Sequence, residues 1–247
     1  MGHTLKKILG PALGVALGIM VGPNSKADVM TFDTSLTNPP GVYYGTGNAN
    51  SNFTRETNGS TELGLSVIQR FVGPIDPGAG SNVYQVSTGA TTVSGQTGSS
   101  WGFDFSVNTQ YNGGTSVLGD FTYALTITDL TTSTTLGPLD AVRLIPDNYG
   151  FGPLGRTTGG VNVATEWGAQ NSESPSFAGP SFNLNAPDLY QITLSALNST
   201  TGAVETDTVF ANASAPVPEP TSILLFGTVA LGALVLGRRR GAQCHKS

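Results

Sequence analysis

The side chains that could do chemistry in this 247-residue chain are almost all carboxylates. Residues 28–215 contain fifteen Asp and Glu but no histidine, cysteine or lysine. The two histidines and the single cysteine, His3, His245 and Cys244, lie near the ends of the chain. A Ser-His-Asp or Cys-His mechanism needs an imidazole, and Schiff-base chemistry needs a lysine. Of the hydrolytic mechanisms, only a carboxylate pair of the glycosidase kind is compatible with this inventory.

No sequence pattern marks such a carboxylate pair, so we expect residues 28–215 to be non-catalytic and to hold no cofactor and no metal. Two places offer oxygen atoms to calcium, Asp76 near Gly78 and Asp147 beside Asn148. Neither has the spaced carboxylates of a dedicated calcium loop. Asp, Asn and Gly in these combinations are typical of turns, which is the interpretation the sequence favours.

The two tryptophans are the candidates for stacking on a sugar ring. Trp101 alternates with Phe103 and Phe105 along a strand pattern, which is typical of core residues. Trp167 follows Glu166 and precedes a polar stretch, so we expect it in a loop, where binding residues are common. The sequence therefore predicts Trp101 in the core and favours Trp167 as the glycan contact.

The balance of charge restricts the partners of residues 28–215. Four arginines against fifteen acidic residues give a net charge of about −11. Such a segment repels nucleic acid and anionic lipid, so we expect neither as a partner. Thr, Ser, Asn, Gln and Gly supply most of the polar surface, a neutral composition that suits an exopolysaccharide setting. Without cysteine the segment has no disulfides, and its stability must come from a packed core.

The N-terminal residues 1–27 have the pattern of a secretory signal peptide. Two lysines precede the apolar residues 8–21, a Gly-Pro pair then breaks any helix, and the small residues Ser25 and Ala27 follow. This pattern predicts cleavage by signal peptidase after Ala27, so that the mature protein begins at Asp28.

A second targeting signal occupies residues 216–240. Its three parts come in this order: Pro218, Glu219 and Pro220; the uncharged apolar residues 221–237; and Arg238, Arg239 and Arg240. The prolines hold the chain extended, the apolar run can form a transmembrane helix, and the arginines stay on the cytoplasmic side. As a helix the apolar run spans roughly 25 Å, slightly less than the roughly 30 Å hydrocarbon core, which is marginal for a permanent anchor. Residues 241–247 would form a short cytoplasmic stub.

This tail resembles the PEP-CTERM sorting signal of exported bacterial proteins. The resemblance implies that exosortase, a transpeptidase-like membrane enzyme, recognises Pro218, Glu219 and Pro220 and releases the protein, with the three arginines as the stop-transfer signal. It also implies export across the inner membrane, transient anchoring through residues 221–237, and a final place at the cell surface or in the extracellular matrix. An ordinary tail anchor that is never cut is the alternative.

Residues 28–215 form one predicted domain with an all-β pattern. Runs rich in Val, Ile, Thr and aromatic residues alternate with turn residues and predict strands at 63–72, 83–93, 101–107, 120–130, 141–145, 189–197 and 204–211. Seven or more short strands predict an antiparallel β-sandwich, jelly-roll or immunoglobulin-like. The segments WGFDFSV, GAQNSESPSF and NAPDLYQITLSAL also look like those of other PEP-CTERM proteins, which implies the same fold.

Two hairpins and one long loop complete the prediction. Residues 120–130 are predicted to pair with 141–145. Residues 189–197 are predicted to pair with 204–211 through a loop in which Gly202 takes a left-handed conformation. The proline-rich residues 146–188 are predicted to be a long irregular excursion.

Taken together, these features predict an exported, non-catalytic surface or extracellular-matrix protein that exosortase processes and that associates with exopolysaccharide or biofilm. Two alternatives remain open. One is a lectin-like polysaccharide-binding module that uses Trp167. The other, which the sequence favours least, is a carboxylate-dependent glycoside hydrolase.

Overall fold

The computed structural model describes residues 29–34, 52–70, 72–93, 96–175 and 186–215. These residues form two β-sheets that pack on each other, together with a separate two-stranded hairpin. The predicted β-sandwich is therefore confirmed. The predicted signal peptide and transmembrane helix lie outside the described residues. No helix among the residues described has the length and apolar character needed to cross a membrane.

The larger sheet, sheet A, has eight strands in the order β1-β2-β3-β8-β13-β11-β12, with β4 paired to β3. Every pair in it is antiparallel. The strands are β1 Val29–Thr34, β2 Phe53–Asn58, β3 Thr61–Gln69, β4 Gly73–Pro74, β8 Trp101–Asn108, β11 Tyr149–Gly152, β12 Gly155–Thr157 and β13 Gly168–Glu173.

The smaller sheet, sheet B, has five strands in the order β10-β9-β14-β15-β5. They are β5 Val83–Ser87, β9 Phe121–Asp129, β10 Thr134–Leu139, β14 Asp188–Asn198 and β15 Val204–Ser214. The separate hairpin pairs β6 Ala90–Val93 with β7 Gln96–Ser99. Helical elements whose bounds lie within the described residues are α1 Ala141–Leu144 and the 3-10 turns Tyr111–Gly113 and Leu118–Asp120.

The core lies between the two sheets and is built by strict alternation. In β8 the side chains of Trp101, Phe103, Phe105 and Val107 all join the core, as the sequence predicts. The ring of Trp101 contacts that of Tyr190 in sheet B, with 5.2 Å between the ring centres. Because strand side chains alternate between faces, the intervening polar residues point away from the core.

The prediction of a strand at residues 141–145 is wrong, because Ala141–Leu144 forms the one-turn helix α1. Asp140 caps this helix, accepting a hydrogen bond from the backbone N–H of Arg143 at 3.0 Å. The buried Asn148 side chain donates to the carbonyls of Ala141 and Val142 at 2.8 and 3.0 Å. The hairpin partner of β9 is therefore β10, which comes earlier in the chain than predicted.

The prediction of a long irregular excursion over residues 146–188 is also wrong. This segment contributes β11, β12 and β13 to sheet A and the first residue of β14 to sheet B. β11 and β13 are rich in glycine and polar residues, so neither shows the β-branched pattern that marks a strand. Gly168 of β13 faces Phe151 of β11, and a Cβ atom on Gly168 would approach the Phe151 Cβ to 3.0 Å. Glycine permits this close pairing.

Sheet B departs from the prediction at β5 and agrees with it in the β14–β15 hairpin. The predicted strand 83–93 is two strands, β5 and β6, and β5 pairs with β15 in parallel, so the sandwich is not wholly antiparallel. The β14–β15 hairpin is confirmed, and Gly202 has the predicted left-handed conformation with φ of 72°. The observed register places Thr193 opposite Thr208 in this hairpin.

Candidate functional site

The sorting and cleavage residues that the sequence predicts lie outside the described part of the chain. They are Ser25, Ala27, Asp28, Pro218, Glu219, Pro220, Arg238, Arg239 and Arg240. In the folded domain, the candidate functional groups are the described aromatic, acidic and hydroxyl side chains.

Trp167 lies directly before β13, and its backbone is held on two sides. Its N–H donates to the carbonyl of Phe151 at 2.7 Å, and its carbonyl accepts from the N–H of Thr109 at 2.8 Å. The Thr109 hydroxyl also donates to this carbonyl, at 3.1 Å. The residue is half-buried, so its indole is neither a core ring nor a fully open platform. The glycan contact predicted for Trp167 stays a prediction.

Glu166, next to Trp167, is buried and has a structural role. Its Oε1 accepts a hydrogen bond from the Thr157 hydroxyl at 2.6 Å, and its Oε2 accepts one from the N–H of Asn162 at 2.7 Å. The side chain also lies against Gly150, where a Cβ atom would collide with its carboxylate. Both carboxylate oxygens of Glu166 thus hold the loop before β13. Glu166 is therefore not a free acidic group beside Trp167.

A pair of carboxylates lies between the sheets, on the core side of β2 and β15. Asp207 is wholly buried, and its Oδ2 accepts from the N–H of Leu65 at 2.8 Å. Burial raises the pKa of Asp207 well above its usual range, and the nearby Glu56 raises it further. Burial and the neighbouring carboxylate of Glu56 thus both favour the protonated form of Asp207. Both residues are buried, away from any surface that a polysaccharide could reach.

The two oxygen-rich turns that the sequence offers as calcium sites make local hydrogen bonds. Asp76 Oδ1 accepts from the N–H of Gly78 at 2.7 Å, which is a turn of the kind Asp favours. Asp147 Oδ1 accepts from the Asn171 amide at 3.1 Å, and Asn148 holds the carbonyls of α1. In the described ranges no three His, Cys, Asp or Glu side chains are grouped as a metal ion would require.

The outward side of sheet A carries polar side chains that are nevertheless buried. Ser66 of β3 is aligned with Asp104 of β8 and Ser172 of β13, and both Ser66 and Asp104 are 0% exposed. Burial raises the pKa of Asp104 to about 7, although the hydroxyls of Ser172 and Ser66 partly offset this. Within the described residues these hydroxyls lie near the Asp104 carboxyl, but no donor meets full hydrogen-bond geometry at either of its oxygens. We call Ser66, Asp104, Ser106 and Gln170 the buried polar face.

The outward side of sheet B is also polar, but its central side chains are partly exposed. Its central positions are hydroxyl residues that hydrogen-bond in pairs across strands. Thr193 and Thr208 are 3.1 Å apart between hydroxyl oxygens, and Ser195 and Thr206 are 3.0 Å apart. We call the outward residues of sheet B the hydroxyl face: Val83, Gln85, Thr122, Ala124, Thr126, Thr128, Gln191, Thr193, Ser195, Leu197, Val204, Thr206, Thr208, Phe210 and Asn212.

Sequence reasoning did not identify the hydroxyl face as a unit. The alternation of Thr122, Ala124, Thr126 and Thr128 with apolar residues was visible in β9 and placed them on one side. Their alignment with residues of β14 and β15 follows only from the register of three strands. The threonine repeat in β9 was the one signal of this surface in the sequence.

Comparison with known proteins identifies the C-terminal signal. Residues 216–240 match the PEP-CTERM protein-sorting motif. The chain is a PEP-CTERM sorting substrate. The protein is thus exported, transiently anchored in the membrane and processed by exosortase. No curated protein and no solved structure matches the chain, so nothing beyond this motif comes from similarity.

Proposed function

We propose that the β-sandwich of this PEP-CTERM protein is a non-catalytic component of the cell surface or extracellular matrix and associates with exopolysaccharide. The observation that carries the proposal is the placement of its acidic groups. The acidic residues Glu56 and Asp207, of which Asp207 has its pKa raised by burial and by the nearby Glu56, are buried between the sheets. A glycosidase acid must touch the glycosidic bond, so a buried pair cannot serve that chemistry.

The residue types present in the domain also support a non-catalytic role. Residues 28–215 have no histidine, cysteine or lysine, so these three residue types cannot act there as general base or nucleophile. Glu166 is committed to two hydrogen bonds within its loop. A sorting signal that delivers the domain to the outside then points to a structural or binding role.

A lectin-like role through the loop at Trp167 is the second candidate. The half-buried indole of Trp167 lies on a backbone fixed by Phe151 and Thr109. On the neighbouring hairpin, the exposed Arg156 guanidinium lies 4.8 Å from the centre of the Tyr149 ring. Aromatic faces held in this way can stack on sugar rings.

The sorting step can be tested by substituting Pro218, Glu219 and Pro220 together with alanine in a host that has exosortase. We expect the protein to be exported but retained in the membrane at full tail length, because the apolar run still inserts and the arginines still stop transfer. Fractionation followed by intact-mass measurement reports both properties.

The matched control is Pro216→Ala, which changes a proline two residues before the triplet and should be released like the parent protein. Release of the triple variant at the parental rate would show that the triplet is not the recognition element. It would leave the proposed role of the β-sandwich untouched.

A further inference from the structure

The hydroxyl face of sheet B is an ordered array and not a scatter of surface residues. β14 pairs with β9 over nine positions and with β15 over ten positions. The outward side chains therefore stand in rows, roughly 5 Å apart between strands and roughly 7 Å apart along each strand. Thr126, Thr193 and Thr208 form one row, and Ala124, Ser195 and Thr206 form the next.

The hydroxyl groups of this face are held in place before any partner arrives. Thr193 bonds to Thr208, Ser195 bonds to Thr206, and Gln191 donates to Thr193 at 3.3 Å. A pair of hydroxyls uses one donor and one lone pair in bonding to itself. One O–H and several lone pairs per pair remain for a partner, and their positions are already fixed. Little side-chain entropy would be lost on binding.

The face carries no charge, although the domain around it is strongly acidic. Along the described strands of sheet B, none of the outward positions is Asp, Glu, Lys or Arg, whereas residues 28–215 have a net charge of about −11. A charged partner would meet no opposite charge here. A protein partner would usually require an apolar, aromatic-rich centre, and this face offers one aromatic residue, Phe210, with the aliphatic residues Val83, Ala124, Leu197 and Val204.

We propose that the hydroxyl face binds a neutral polysaccharide chain laid across β9, β14 and β15. An uncharged polymer rich in hydroxyl groups can both donate to and accept from such an array, and it is not repelled by the acidic domain. The inference rests on the proposed function, because it names the surface by which the domain would associate with exopolysaccharide.

The test removes the hydroxyls while keeping the shape of the sheet. In the full chain purified in non-ionic detergent, Thr193, Thr206 and Thr208 are replaced by Val and Ser195 by Ala. Retardation is measured in native gels that contain hydroxyethyl cellulose or dextran, with carboxymethyl cellulose as the anionic counterpart. We expect the parent protein to be retarded by at least one neutral polymer and not by the anionic one. The four-site variant should bind roughly tenfold more weakly or worse.

Three further variants keep this test decisive. Thr200→Val, in the exposed β14–β15 turn, should bind like the parent protein. Thr208→Arg introduces a single charge at the centre of the face and should weaken binding even if the four-site variant fails to fold. Trp167→Ala should leave binding intact, because the tryptophan loop is not part of the face.

The outcomes that overturn the proposal are distinct from one another. If no neutral polymer retards the parent protein, both the proposed exopolysaccharide association and this surface are wrong. If Trp167→Ala abolishes retardation while the hydroxyl variants retain it, the association stands and the hydroxyl face is the wrong surface. If sedimentation shows a dimer of the parent that Thr208→Arg disrupts, the face is occupied by a second copy of the chain.

Discussion

The outward faces of the two sheets are both polar, yet one is buried and the other is partly exposed. In sheet A, Ser66 and Asp104 are wholly buried, and the described donors nearest to Asp104, the hydroxyls of Ser66 and Ser172, do not meet full hydrogen-bond geometry. In sheet B, Thr193 and Thr208 are half-exposed and satisfy each other. A polar group that is buried without a partner costs free energy, whereas a paired surface hydroxyl costs almost none. The same alternating pattern thus produces a buried polar face in sheet A, which costs free energy, and a hydroxyl face in sheet B, which is available for contact.

The largest effect on the free energy of unfolding is expected from a substitution on the core side of sheet A, opposite the buried polar face. In the register of β8, Trp101 points into the core and Asp104 points away from it. A shift of one residue would exchange the two faces. Trp101→Ala should therefore lower the free energy of unfolding by about 3 to 5 kcal/mol.

The control for this prediction is Trp167→Ala, whose half-buried ring should cost much less. Denaturant unfolding of both variants provides the comparison. A negligible loss for Trp101→Ala would mean that its ring faces outward, and the assignment of faces in sheet A would be reversed.

An intermediate effect on the free energy of unfolding is expected from the titration of Asp104. Burial raises the pKa of Asp104 to about 7, so the folded protein keeps a proton that the unfolded chain releases near its ordinary value. Because the folded state binds more protons, the free energy of unfolding should fall as the pH rises from about 4 to about 7. Asp104→Asn should remove this part of the fall, on the order of 2 to 4 kcal/mol.

Urea unfolding at about pH 5 and about pH 8 measures that difference between the parent and Asp104→Asn. Asp207→Asn serves as a parallel case, since burial raises the pKa of Asp207 as well. Equal pH dependence in the parent and Asp104→Asn would show that Asp104 is not held in a buried site.

The smallest effect is expected on the hydroxyl face. Thr206→Val removes the hydroxyl bond to Ser195 but keeps a β-branched side chain on an open strand position. The free energy of unfolding should change by less than about 1 kcal/mol, because the hydroxyl freed on Ser195 can bond to water. A loss comparable to that of Trp101→Ala would show that sheet B is covered on this side too.

Much of the fold follows from the sequence where alternation is strict. The apolar and polar sides of β8 and β9 are as predicted, because each has large side chains at every second position. The helix α1 was missed because its formation depends on the Asp140 cap and on Asn148, four residues beyond the helix. β13 was missed because its residues are polar and it is defined by pairing with β8.

The candidate sites were less predictable than the fold. Alternation places Asp104 and Thr193 outward, but it does not say which outward face is buried. That property depends on contacts far away in the chain and not on local pattern. The hydroxyl pairs depend on register between strands, which a single strand does not reveal. The sorting signal, in contrast, is a contiguous motif and could be recognised from sequence alone.

The difference between the two outward faces can be measured most directly by thiol labelling. Residues 28–215 contain no cysteine, so a single cysteine can be placed at Ser66 or at Thr193 in the full chain after Cys244→Ser. We expect Thr193→Cys, at a partly exposed position, to react with a maleimide under native conditions without unfolding. Ser66→Cys should react only after unfolding, because its position is wholly buried. Rapid native labelling of Ser66→Cys, or protection of Thr193→Cys, would contradict the account.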